Sequence, residues 1–128
     1  MVMNILIVDD SSLTRKAIRR TLGMIDLEFG EIFEAENGSL ALKVMDESRI
    51  DLVLADLNMP EMGGIEMIQR MKSGETTRSI PVVIISTESS MTRIKELLSQ
   101  GVRDYLHKPF APEEFRNIIS HTMESRHD

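Results

Sequence analysis

Apolar positions along this chain fall into two alternating patterns. Ile5-Leu-Ile-Val8, Asp51-Leu-Val-Leu-Ala55 and Pro81-Val-Val-Ile-Ile85 are short apolar runs, rich in β-branched residues, as strands buried on both faces are. Ile32-Phe-Glu-Ala35 predicts a weaker strand, and Asp104-Tyr-Leu-His107 alternates as an edge strand does. Between them lie amphipathic stretches. Ser11 or Ser12 is placed to cap a helix carrying Leu13, Ala17, Ile18 and Leu22 on one side. Leu40, Ala41, Val44 and Met45 mark a second helix after Asn37-Gly38. Ile65, Met67, Ile68 and Met71 mark a third. Met91, Ile94, Leu97 and Leu98 mark a fourth, stopped by Gly101 as its C′ residue. Pro112 opens the last, where Phe115, Ile118, Ile119, Thr122 and Met123 recur at helical spacing. The stretches 23–30 and 73–79 read as loops.

Strands alternating with helices predict an α/β fold. Its parallel sheet is covered on both faces by helices through right-handed crossovers. Ligands of such sheets bind beyond the carboxyl ends of the strands, where strand order reverses. At 128 residues the chain is one domain, with no repeat or long linker. The absence of cysteine excludes disulfides, thiol catalysis and Cys-ligated zinc. A net charge of -6 disfavours direct binding to a phosphate backbone. No apolar run spans a bilayer, and the first residues lack a signal-peptide pattern, so a cytoplasmic protein without membrane insertion is expected.

Four strands end in residues with chemistry to offer. The first ends in Asp9-Asp10, the third in Asp56, the fourth in Ser86-Thr87, and the fifth just before Lys108-Pro109. One rim thus collects three carboxylates, a hydroxyl and an amine. Unpaired, the carboxylates repel one another. A hard divalent cation resolves this, and oxygen ligands without His or Cys favour magnesium. A cation, a lysine and a hydroxyl together suit a phosphoryl group. The best nucleophile on the rim is a carboxylate, which would form an aspartyl phosphate. Taken singly, each residue has a plainer use. Asp9-Asp10 could cap the first helix, Ser86 the fourth, and Lys108 could be a solvated lysine.

Leu6-Ile-Val-Asp-Asp10, Asp56-Leu-Asn-Met-Pro60, Ser86 and Lys108-Pro109, in that order, resemble the receiver domain of two-component response regulators. The resemblance spans residues 1–128 and extends to single-domain chemotaxis regulators of the CheY type. It implies a flavodoxin-like sheet of five strands ordered 2-1-3-4-5 with five helices. It implies Asp56 as phosphoacceptor from a histidine kinase or phosphotransfer protein, and an acceptor, not an enzyme acting on other molecules. Mg2+, or Mn2+, would be held by Asp10, Asp56 and the backbone carbonyl of Asn58, with Asp9 acting through water. Lys108 would pair with Asp56 at rest and with the phosphoryl group afterwards, and Ser86 would bond another phosphoryl oxygen. Tyr105 would be a switch aromatic, working with Ser86 to present the fourth helix, fifth strand and fifth helix to a downstream protein. Its plainer reading is an edge-strand residue with a wet hydroxyl. Asn58 and Glu88 stand where receivers tune the lifetime of the phosphoryl group. The Lys108–Pro109 bond is expected to be cis, and the protein a monomer, with phosphorylation-dependent dimerisation open.

Three departures from the family pattern stand out. Gly63-Gly64 lacks an aspartate cap, which should loosen the loop beside the site. Thr87 is bulky enough to narrow access to Asp56, and Met91 replaces a lysine common in regulators that bind a flagellar switch. Of ten methionines, Met67, Met71 and Met123 read as core, and Met59 and Met62 as loop packing. His107, His121 and His127 form no ligand cluster. Arg15-Lys16 and Arg19-Arg20 read as a basic, solvated face of the first helix, or one that meets an acidic kinase. Other functional classes fit less well. A haloacid-dehalogenase-type phosphatase would want an acid at Asn58. An FMN carrier would want a less acidic first loop and aromatic stacking residues. A receiver cut from a longer DNA-binding regulator remains an alternative; the tail 124–128 reads as a natural stop.

Overall fold

The computed structural model describes residues 2–125, with side chains through Glu124; Met1, His127 and the end of the 124–128 tail lie outside the described residues. Five strands, β1 (Met3–Val8), β2 (Phe29–Ala35), β3 (Leu52–Ala55), β4 (Val82–Ser86) and β5 (Asp104–His107), alternate with α1 (Ser12–Met24), α2 (Gly38–Glu47), α3 (Gly64–Lys72), α4 (Met91–Ser99) and α5 (Pro112–Ser125). The strands form one parallel sheet ordered β2-β1-β3-β4-β5, as expected.

Strand periodicity explains how two cores share one sheet. Leu6, Val8, Val53, Ala55, Val82 and Ile84 point to one face, where Ala41 and Met45 of α2, Met67, Ile68 and Met71 of α3, and Leu97 of α4 cover them. Ile5, Ile7, Leu52, Leu54, Val83 and Ile85 point to the other, under Ile18 and Leu22 of α1 and Phe115 and Ile119 of α5. Both sets are buried, so β1, β3 and β4 show no polar alternation. Met62 joins the first core and Met59 packs against it, as loop packing. Gly101, at φ +97°, follows α4 in the left-handed region as the C′ residue.

The helical period identified which residues share a face better than how far each face is covered. Leu13 (77% exposed) and Met91 (64% exposed) stand in solvent at the starts of α1 and α4. Ala17, Leu40 and Leu98 are exposed too. The expected apolar faces therefore narrow to the residues that overlie the sheet. The stretch 23–30 is shorter as a loop than expected, because α1 runs to Met24 and β2 begins at Phe29. The first residues of β2 escaped detection because Gly30 and Glu31 break its apolar pattern. Gly30 packs against Asn4, whose side-chain oxygen accepts from the Glu31 N–H at 2.9 Å.

Candidate functional site

The chain leaves β1 for β2 on one side and crosses back to β3 on the other, so β1 and β3 flank the reversal of strand order. Val8 and Ala55 are register partners. The next residues, Asp9 and Asp56, therefore emerge side by side at the rim, and the Asp56 N–H donates to the Val8 carbonyl at 3.0 Å. One oxygen from each of Asp9, Asp10 and Asp56 lies within 4.8 Å of the others. Ser86 closes β4 opposite His107, which places Lys108 at the same rim. The Lys108 N–H donates to the Ser86 carbonyl at 2.8 Å, and the Lys108–Pro109 bond is cis.

Asp9 is buried and fully engaged. Its Oδ1 accepts from the Ser11 N–H at 2.9 Å, and its Oδ2 from Lys108 Nζ at 2.9 Å. Asp56 is half-buried; its Oδ1 accepts from the Leu57 N–H at 2.7 Å and its Oδ2 from Lys108 Nζ at 3.4 Å. Asp10 is exposed, and its carboxylate has no hydrogen-bond partner among the described residues. Lys108 was expected to pair with Asp56, yet its shorter bond is to Asp9. It is no free solvated lysine, being 20% exposed. Burial opposes its charge, but the Asp9 hydrogen bond and the charges of Asp56 and Asp9 outweigh that, so its pKa is raised above the ordinary 10.5.

Ser11 caps α1 as expected, and the plainer capping uses of Asp9-Asp10 and Ser86 are not realised. The Ser11 hydroxyl accepts from the Thr14 N–H at 3.2 Å. Ser90, not Ser86, caps α4, accepting from the Arg93 N–H at 3.3 Å. The Ser86 hydroxyl is buried and accepts from the Glu88 N–H at 3.3 Å. The Tyr105 hydroxyl is not left to water. It donates to the carbonyls of Glu88 and, at 3.3 Å, Ser86, while its ring packs against the α2–α3–α4 core. Partial burial, with the charges of Glu88 and Asp56 adding to it, raises the tyrosine pKa above its ordinary 10.0. Asn58 and Thr87 are exposed on the rim, and Glu88 is half-buried.

Without an aspartate cap, the loop after Asp56 still holds backbone bonds from Gly64 N–H to the Leu57 carbonyl and from Gly38 N–H to the Met62 carbonyl. A Cβ on Gly64 would sit 2.5 Å from the Asp56 carbonyl oxygen, so only glycine permits this approach. Glu61 is the one described non-glycine residue at positive φ, +66°, beside the site.

The donor set fits a hard cation. At an effective dielectric of about 20, two carboxylates at this separation repel by about 3–4 kcal/mol. Lys108 reaches two of the three, and Asp10 has no ion-pair partner among the described residues. Oxygen-only donors of this charge match Mg2+ or Mn2+. Among the described residues this is the one such acidic group, and no histidine belongs to it.

Arg15 was missed as part of this neighbourhood. Read as a member of a solvated basic face, it is largely buried, pairs with Glu34 at 2.9 Å, and donates to the Asp9 carbonyl at 2.6 Å. No sequence signal marks it, because Glu34 is brought there by β2.

Comparison with known proteins agrees with this geometry. Residues 5–120 match the family model described as the response regulator receiver domain. Chemotaxis protein CheY1 of Helicobacter pylori is 37% identical over 118 residues, 91% of this chain and 94% of its own length. Histidine kinase P4 of Formosa agariphila is 38% identical over 122 residues, 95% of this chain and 9% of that protein. The structure of chemotaxis response regulator CheY4 of Vibrio cholerae superposes with a TM-score of 0.84 at 29% identity, covering 95% of this chain and 99% of that one. This chain belongs to the response regulator receiver family and is a CheY-like receiver of two-component signalling.

Proposed function

From that membership we propose that Asp56 accepts a phosphoryl group from a phosphohistidine on a histidine kinase or phosphotransfer protein. The observation that carries this is the placement of the Asp56 carboxylate beside both Asp9 and Asp10 and 3.4 Å from the Lys108 amine. An Asp56 oxygen forms the new P–O bond while the P–N bond to the imidazole breaks and the imidazole nitrogen keeps the electron pair. Lys108 Nζ moves from Asp56 to a phosphoryl oxygen, and the Ser86 hydroxyl turns from the Glu88 N–H to donate to another. Asp10, Asp56 and the Asn58 carbonyl would hold Mg2+, or Mn2+. Asp9, whose two oxygens already accept from the Ser11 N–H and Lys108 Nζ, would act on the ion through water. Such an ion neutralises the charge that develops on the transferring group. The domain consumes no external substrate beyond its phosphodonor.

The readout runs through Ser86 and Tyr105. Phosphorylation adds a charge of about -1.5 to -2 at Asp56. Drawing Ser86 toward that charge moves the β4–α4 loop, whose Glu88 carbonyl is bonded to the Tyr105 hydroxyl. Tyr105 thereby relays the change to α4, β5 and α5, the face offered to a downstream protein. Asn58 and Glu88 border the approach of the hydrolytic water and set how long the phosphoryl group lasts.

Intact-protein mass spectrometry after incubation with acetyl phosphate tests the reading. A magnesium-dependent, hydrolysable phosphoryl adduct, lost in Asp56→Asn, is expected. An adduct that survives that substitution, or none with either acetyl phosphate or a cognate kinase, refutes it.

A further inference from the structure

We propose that Arg15 is a positioning residue for the acidic site, holding the Asp9–Asp10 peptide where its two carboxylates can share a divalent cation with Asp56. The inference rests on the metal-dependent phosphoacceptor reading above. The Arg15 side chain is 17% exposed, and its guanidinium is pinned at both ends of its fork. Its Nε donates to Glu34 Oε1 at 2.9 Å, and its Nη1 donates to the Asp9 carbonyl at 2.6 Å. Glu34 is itself held, since its Oε2 accepts from Arg19 Nε at 3.0 Å and Arg19 Nη2 donates to the Ile32 carbonyl at 3.0 Å. The guanidinium is thus fastened to β2, the neighbour of β1 in the sheet.

The carbonyl it grips belongs to the peptide linking Asp9 to Asp10. On the other side of Asp9, its own N–H donates to the Ala35 carbonyl at 3.1 Å. Both peptides flanking Asp9 are therefore tied to β2 or to a side chain anchored there. Asp10 needs this, because its carboxylate is exposed and no hydrogen bond from a described residue orients it. Its direction is set by the peptide plane before it, which Arg15 fixes. A lysine could not replace this fork, having one nitrogen for two acceptors on different elements.

The sign of the effect separates positioning from charge. Arg15 is a cation near a cation site, so Coulomb's law alone says that removing it tightens metal binding, and that Arg15→Lys changes nothing. Positioning says that both Arg15→Gln and Arg15→Lys weaken it. The experiment titrates the full chain with Mn2+, reading free Mn2+ by electron paramagnetic resonance, for wild type, Arg15→Gln, Arg15→Lys and Lys16→Ala. Residue 16 is an exposed neighbour on α1 that serves as the charge control. A Kd raised about tenfold in both Arg15 variants is expected, the scale of losing an outer-shell partner of a metal ligand. Lys16→Ala should bind at least as tightly as wild type. Acetyl-phosphate labelling of Arg15→Lys should recover toward the wild-type rate as Mg2+ is raised to saturation. Wild-type or tighter binding in Arg15→Lys overturns the proposal, as does an equal loss in Lys16→Ala. Arg15→Lys keeps the charge next to Glu34, so it serves if Arg15→Gln does not fold. Wild-type protein that binds no Mn2+ overturns the metal-site reading and this inference together; intact wild-type binding with unaffected variants overturns this inference alone.

Discussion

Replacing Asp10 by asparagine should stabilise the metal-free protein and abolish its response to magnesium. Asp10 is the exposed member of the acidic trio and contributes no hydrogen bond to the described fold. What it contributes without a cation is repulsion, toward Asp9 and toward Asp56, each with an oxygen within 4.8 Å. Even with the full dielectric of water, a pair at that distance repels by about 0.9 kcal/mol, and two pairs by about 1.7 kcal/mol. The separation is shorter than the Debye length of about 8 Å at physiological salt, so ions screen this only in part. Asparagine keeps the shape and removes the charge, leaving a net gain of about 1 kcal/mol. For a domain of this size that is about 3–5 °C in melting temperature. With Mg2+ the order reverses. A wild-type site at a hundredfold excess over Kd gains about 2.7 kcal/mol by linkage, and the variant, missing a ligand, gains little of it. Circular-dichroism melts of both proteins in EDTA and in MgCl2 give the four numbers needed. Two outcomes each refute the reasoning: a variant that melts lower than wild type in EDTA, or one that keeps the wild-type magnesium shift.

Lys108 gives a pH test with a definite sign. Its pKa is raised in the fold, so its stabilisation is complete below about 10.5, its unfolded value, and is lost as pH rises through the higher folded value. Urea unfolding above pH 10.5 should show a decline in wild type that Lys108→Met lacks; parallel profiles would count against it. Gly64→Ala should cost about 1–3 kcal/mol, since the new Cβ meets the Asp56 carbonyl oxygen at 2.5 Å. It should also slow acetyl-phosphate labelling by displacing the acceptor, and a rate equal to wild type would argue otherwise. Phe115→Ala removes a fully buried ring stacked on Phe110 at 5.2 Å and should cost about 3–5 kcal/mol in urea unfolding. A loss under 1 kcal/mol would mean that α5 is not part of the core.

The parts of the fold legible in the sequence are those where burial is two-sided or where a residue type admits one conformation. Ile5 to Val8 and Val82 to Ile85 read as central strands because both faces had to be apolar. Gly101 read as a helix stop because its left-handed φ favours glycine. Phe29 to Glu31 did not read as strand, since an edge strand needs no continuous apolar run. Leu13 and Met91 fit the helical period and are nonetheless exposed, because periodicity groups residues on a face without saying how far the sheet extends beneath it.

The candidate site divides in the same way. Which residues gather at the rim follows from the sequence alone, because every parallel strand delivers the residues just beyond its last apolar position to one edge. Asp9, Asp10, Asp56, Ser86 and Lys108 are brought there by chain order. How they partner is a matter of side-chain reach across strands and loops that no spacing encodes. Lys108 bonds Asp9 more closely than Asp56, Tyr105 turns its hydroxyl to the Glu88 carbonyl, and Arg15 joins the Asp9 carbonyl to Glu34, 19 residues further along the chain. Hydrophobic pattern is a local property and survives in one dimension. A hydrogen bond between distant residues depends on distances of a few tenths of an ångström, and only the packed sheet and helices set those.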